Sequence, residues 1–142
     1  MTGQGAASAW PSASPPAATP FLHWVLHEVA ELPAVRAEVR RAIPAGEAGR
    51  DALDQLVLAL DEMASNALRH GGGHVEAAVR TTAAGFLIEV ADAAAHRPPT
   101  PAVDRDPSEG GLGLYLIAEL ATGHGWYVSD GAKHVWALLP RG

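Results

Sequence analysis

The sequence predicts an α+β protein, a two-layer sandwich in which a mixed, mostly antiparallel sheet is covered on one face by helices. Three observations lead there. Strand and helix patterns follow one another as strand, helix, helix, strand, strand, loop, helix, strand, strand. The later strands fall into two hairpins with helical segments before and between them, an arrangement that stacks helices on one sheet. One long segment, Asp51 to His70, repeats apolar residues at helical spacing and has a single face to bury.

The elements can be justified in chain order. Met1 to Pro20 is rich in Ala, Ser and Pro and has no periodicity, so it reads as a disordered tail ahead of one folded domain at 21–142. A lone Trp, Trp10, is weak evidence that the tail docks anywhere. Phe21 to Glu28 alternates as a strand. His23, His27 and Glu28 suggest a metal site only on a helix; on a strand the two imidazoles stand about 13 Å apart, which argues against one. Leu32 to Ile43 reads as a helix with Pro33 in its first turn and an apolar stripe of Val35, Val39 and Ile43. Arg36, Arg40 and Arg41 lie off that stripe, as a solvated face or a partner surface.

The break at 44–49 precedes the long helix. Leu53, Leu56, Val57, Leu60, Ala64, Ala67 and Leu68 form its apolar face, and Gly71, Gly72 and Gly73 end it. His74 to Thr81 and Phe86 to Asp92 read as an antiparallel hairpin, with Asp92 where the chain leaves the sheet. Ala93 to Glu109 carries four prolines and reads as an exposed loop. Gly110, Gly111, Leu112, Gly113 and Leu114 run into a helix ending near Ala121. Gly125 to Asp130 and Lys133 to Leu139 form a second hairpin around Gly131 and Ala132.

Composition narrows the function classes. The chain has 142 residues, is 48% hydrophobic and 18% charged, and suits one compact domain. Its formal net charge is -6 without a basic block, which argues against direct nucleic-acid binding. The absence of cysteine excludes disulfides and thiolate metal sites. No apolar run reaches the length of a membrane span, and the N-terminus has no signal-peptide pattern. A cytoplasmic protein is expected.

Two sets of residues carry chemistry. Glu62 and Asn66 fall one turn apart, off the apolar face, with Arg69 or His70 a further turn on. A carboxylate and a carboxamide so placed are paired oxygen donors for a hard cation or a polarised water, or an ordinary solvated face. The glycines at 110–113 open a helix and allow its free N–H groups to meet a phosphate, or form a flexible joint. The strand-first glycine pattern of a dinucleotide-binding fold is missing.

Glu62-x-x-x-Asn66 on a helix, Asp92 at a strand end and Gly110-Gly111-Leu112-Gly113 before a helix resemble the GHKL ATPase superfamily, which includes histidine kinases and gyrase. The match is nearest to its single-domain branch of anti-sigma factor serine kinases. EMASNALRHG is similar to the family's N-box, GGLGLYLI to its second glycine box, and GAKHVWALLP to its last strands. The resemblance covers roughly Phe21 to Leu139 and implies the Bergerat ATP-binding fold.

By that resemblance Asn66 would bind the Mg2+ that accompanies ATP, and Glu62 would be the general base. Arg69 and His70 would lie near the phosphates, and Asp92 would accept a hydrogen bond from the adenine amino group. Gly110 to Leu114 would cradle the phosphates, with the preceding loop as a lid. One departure stands out: Asp92 is followed by Ala93, Ala94 and Ala95 where the family's first glycine box has Gly.

The resemblance implies a kinase acting on a small antagonist protein, a sigma factor as the sequestered partner, and homodimer pairing. The other class left open is a non-catalytic protein-binding module with a degenerate nucleotide site.

Overall fold

A computed structural model describes residues 10–44, 46, 49–99 and 112–141. The elements are β1 (Thr19–Leu26), a 3-10 turn (Val29–Glu31), α1 (Leu32–Ala42), α2 (Arg50–Asn66), a π-turn (Ala67–Gly71), β2 (Val75–Thr81), β3 (Gly85–Asp92), α3 (Leu112–Leu120), β4 (Gly123–Ser129) and β5 (Ala132–Pro140). The order of elements is the one the sequence predicts.

The strands form one sheet in the order β1-β2-β3-β5-β4. Every pairing of named strands is antiparallel. The expected mixed character is confined to a parallel bridge between Ser12 and Trp126. The turn between β4 and β5 is Asp130-Gly131, one residue earlier than the sequence suggests. Both residues have positive φ, 52° and 77°, the backbone that a two-residue hairpin needs.

The helices cover one face of the sheet. Leu53, Leu56, Leu60, Met63 and Ala64 of α2 join Val79, Ile88, Val90, Val135 and Leu139 in one buried cluster, which Val35 and Val39 of α1 and Ile117 of α3 complete. Alternation decides this: residues two apart on a strand share a face. Arg36 pairs with Asp61, and Arg40 with Asp54 at 3.0 Å. These two arginines clamp α1 to α2 and are not simply a solvated face. Arg41 takes no part in that clamp.

The tail expected at 1–20 needs correction from residue 10 onward. Trp10 is 3% exposed and lies in the main core. Its ring meets His124 edge to face at 4.8 Å, and its backbone N–H donates to the carbonyl of Pro99 at 3.1 Å. Pro11 and Ala13 exchange backbone hydrogen bonds with Trp126 at the β4 edge. The Trp136 indole then donates to the Ala13 carbonyl at 2.8 Å. Thr19 starts β1 at the opposite edge of the sheet, so the intervening residues strap its outer face, where Leu87 and Trp136 are buried. An indole inserted into a core outweighs the low apolar content of its neighbours. Residues 1–9 lie outside the described residues.

The rest of the outer face is polar. The Glu89 carboxylate, buried, is bonded by Arg80 at 3.2 Å, by His134 at 2.8 Å and by the Tyr127 hydroxyl. Glu76 sits between His23 and His74, both at 2.7 Å, and these bonds hold its pKa below the usual carboxylate value. His27 lies past the end of β1, beside Glu31. Among the described residues no His/Asp/Glu group is placed to hold a metal ion, and no helix is long and apolar enough to cross a membrane.

Candidate functional site

The end of α2 builds one side of a cavity. Its apolar face is pressed to the sheet, which leaves Glu62 and Asn66 at the helix margin. The sequence predicts regular helix to His70. Instead the α-helix stops at Asn66 and widens into a π-turn, closed by the Gly72 N–H donating to Ala67 O at 3.2 Å. Gly72 and Gly73 follow with φ of 70° and 69°, a left-handed backbone that glycine adopts without steric cost.

The wide turn brings Gly71 onto Asp92. A Cβ on Gly71 would lie 2.3 Å from the Asp92 carboxyl carbon, so only glycine fits at that contact. Asp92 is 3% exposed. Its Oδ1 accepts the Ala94 N–H at 2.8 Å. The turn after it is locked by Ala93 N–H to Gly72 O at 3.2 Å and Ala95 N–H to Ala93 O at 2.9 Å. None of Ala93, Ala94 and Ala95 has positive φ. The alanines therefore make the turn where glycines were expected, and none of them lines the cavity beneath.

That cavity measures about 250 Å³. Asn66, His70 and Gly71 approach from α2 and the π-turn, Asp92 from β3, Lys133 from β5, Arg97 to Pro99 from the loop after β3, and Leu114 from the start of α3. Met63, Val90 and Val135 make an apolar lining. An apolar slot with a few convergent polar groups is how small-ligand sites are built. Lys133 is 9% exposed, stands in register with Asp92 and holds its ammonium 3.7 Å from Asp92 Oδ2.

Of the residues singled out from sequence, Asn66, His70, Asp92 and Leu114 are brought together here. Glu62 is not among the lining residues. Its carboxylate packs on Gly113, where a Cβ would lie 2.3 Å from Oε2. Arg69 is exposed and likewise outside the lining. Gly110, Gly111 and residues 100–109 of the loop expected to be a lid (93–109) lie outside the described residues, as does the side chain of Leu112.

Sequence reading missed Gly71, Arg97 and Lys133. Only Gly71 left a signal, since three glycines exceed what a helix end requires. The other two enter through loop geometry and strand register.

The donor set fits a nucleotide with a hard cation. Among the described residues the buried carboxamide nitrogen of Asn66 has no hydrogen-bond partner, and buried amides are seldom left so. Amide orientation follows from such networks, so with either end inward the group offers a free polar atom at the site. Asp92 and Lys133 supply an acceptor and a cation at the cavity wall.

Comparison with known proteins agrees with this chemistry. A family model described as a histidine kinase-like ATPase domain matches residues 25–138. No curated protein matches the chain.

Proposed function

Since the chain belongs to the histidine kinase-like ATPase family, we propose that it is an ATP-dependent regulator of the anti-sigma factor kinase kind. It would transfer a phosphoryl group from ATP to a Ser or Thr of a small antagonist protein. A sigma factor, held when the antagonist is not engaged, would be the second partner. The family implies ATP binding; the kinase step, Mg2+ and the partners are the proposal.

The observation that carries this reading is the convergence of Asn66, Asp92 and the start of α3 on one cavity. Asp92 would accept the amino group of the base. Asn66 would hold Mg2+, whose charge offsets that of the phosphates. The α3 N-terminus offers N–H groups to anionic oxygen, and Arg97 and His70 stand at the same cavity. Glu62 would take the proton of the acceptor hydroxyl as its oxygen bonds to the terminal phosphorus and the bond to the leaving ADP oxygen breaks.

A second reading has one observation in its favour. Glu62 lies against Gly113 instead of lining the cavity, as it would in a binding module without catalysis. One experiment separates the two. With Mg-ATP the melting temperature should rise, and Glu62→Ala should keep that rise while losing phosphoryl transfer to a co-purified acceptor. A rise without transfer by the parent protein favours the binding module. No rise at millimolar ATP removes the kinase reading and leaves the protein-binding module with a degenerate nucleotide site.

A further inference from the structure

Lys133 is a buried cation that the reading above leaves without a task. It stands on β5 directly across from Asp92, and both line the same cavity. Its ammonium donates to the carbonyl of Arg97 at 3.0 Å. The separation of 3.7 Å from Asp92 Oδ2 is an ion-pair contact and too long for a hydrogen bond. An ammonium has three N–H donors, so the Arg97 carbonyl leaves two.

Asp92 is incomplete in the complementary sense. Its Oδ1 accepts the Ala94 N–H, whereas Oδ2 accepts no hydrogen bond among the described residues. The cavity wall therefore presents one under-used acceptor beside one under-used charged donor. Both are almost wholly buried, with side chains 4% and 11% exposed. Buried polar groups left short of partners are costly, and a ligand edge with a donor next to an acceptor relieves both at once.

The edge of adenine has that pattern: an exocyclic amino group beside the ring nitrogen N1. We propose that Lys133 is a specificity-determining residue that donates to N1 of adenine while Asp92 Oδ2 accepts the amino N–H. This rests on the ATP-binding reading. Guanine offers two adjacent donors and one acceptor. It needs a second free carboxylate oxygen, and Oδ1 is already engaged by Ala94. The charge on Lys133 makes the bond to N1 a strong one.

The test is calorimetric binding of ATP, 1-deaza-ATP, 7-deaza-ATP and GTP to the full chain, with Mg2+ at neutral pH. In 1-deaza-ATP a C–H replaces N1. The parent protein should bind it about 10- to 100-fold more weakly than ATP, the range for a lost hydrogen bond to a charged group. It should bind 7-deaza-ATP like ATP, and GTP more weakly. Lys133→Met should lose a similar factor toward ATP and make no distinction between ATP and 1-deaza-ATP. Equal binding of ATP and 1-deaza-ATP by the parent overturns the proposal and leaves ATP binding intact. So does a loss seen with 7-deaza-ATP alone, or GTP binding tighter than ATP. Failure of the parent to bind any of the four overturns the ATP reading and this proposal together. The comparison of analogues on the parent protein holds even where Lys133→Met does not fold, and Lys133→Leu, which likewise has no donor, then replaces it.

Discussion

The Asp92 carboxylate occupies the space that a side chain on Gly71 would need, with its carboxyl carbon 2.3 Å from the Cβ position. The π-turn exists to reach this contact, because it swings the chain after Asn66 toward the end of β3. Gly71→Ala must push Asp92 out of place, at a cost of about 1–3 kcal/mol for overpacking. Gly72 is a matched control. Its φ is 70° and its ψ 172°, yet no described atom lies within 4 Å of its Cβ position, so Gly72→Ala costs about 1–3 kcal/mol of backbone strain alone. Urea unfolding should find both variants destabilised. A thermal-shift titration should find ATP binding lost in Gly71→Ala and kept in Gly72→Ala. Equal ATP binding by the two would show that the position of Asp92 does not matter.

Asn66 makes a different demand, because its buried amide nitrogen has no partner among the described residues. In the free protein such a group is a liability. Asn66→Leu should raise the stability of the nucleotide-free protein by about 1 kcal/mol, since an unsatisfied buried amide costs about 1–3 kcal/mol. The same change should abolish the part of the ATP-induced melting shift that depends on Mg2+. Melting curves with ATP plus Mg2+ and with ATP plus EDTA test this. Loss of stability in Asn66→Leu would mean that the amide has a partner in solution.

The sequence carried the architecture well because the architecture rests on periodicity. The stripe from Leu53 to Ala67 and the alternation in β2, β3 and β5 name the buried faces directly. The site was legible where chemistry sits on those elements, at Asn66 and Asp92, and blurred where the backbone departs from regular geometry. A π-turn has no period of its own in an amphipathic pattern, so Arg69 and His70 kept a helical placement that the chain does not follow. Lys133 was hidden for another reason: pairing with Asp92 is a matter of strand register, and only the fold sets β5 beside β3. The strap was missed because composition averages over residues, whereas one indole at Trp10 decides whether the segment docks.

Trp10 should therefore behave as a core residue. Trp10→Ala empties a site that is 3% exposed and should cost about 3–5 kcal/mol. Phe21, 43% exposed on the edge strand, is the contrast, and Phe21→Ala should cost under about 1 kcal/mol. Chemical denaturation of the two variants measures the difference. Equal, small losses would show that the strap is detached in solution.

Tyr127 gives a pH dependence on the alkaline side. Burial, then its hydrogen bond to Glu89, pushes its phenol up to about 12 from 10.0. Between those values the folded chain keeps a proton that the unfolded chain has lost. The unfolded state binds fewer protons there, so stability falls as pH rises. The contribution is whole below about pH 10 and is lost as pH climbs toward 12. Tyr127→Phe has no phenol to titrate, so its stability should fall less steeply over that window. Parallel alkaline slopes for parent and variant in urea titrations would place the phenol in solvent.

Glu62 and Gly113 form a pair whose coupling can be read by its sign. A Cβ on Gly113 would lie 2.3 Å from Glu62 Oε2 and 2.7 Å from Cγ, so Gly113→Ala alone must displace the flexible Glu62 side chain, which offsets part of the helix propensity that alanine gains. In a Glu62→Ala background the obstructing atoms are gone. The same Gly113→Ala change then gains helix propensity, up to about 1 kcal/mol relative to glycine. A double-mutant cycle in urea should show a larger gain from Gly113→Ala in the Glu62→Ala background, since residues in contact couple where distant ones add. Its kinetic counterpart follows from the proposed proton transfer. Gly113→Ala should resemble Glu62→Ala in keeping the ATP-induced melting shift and losing phosphoryl transfer, because both remove the carboxylate from its place at the head of α3. Additive stabilities in the cycle would mean that Glu62 swings free of Gly113 in solution, and the base would then have to be sought in that second position.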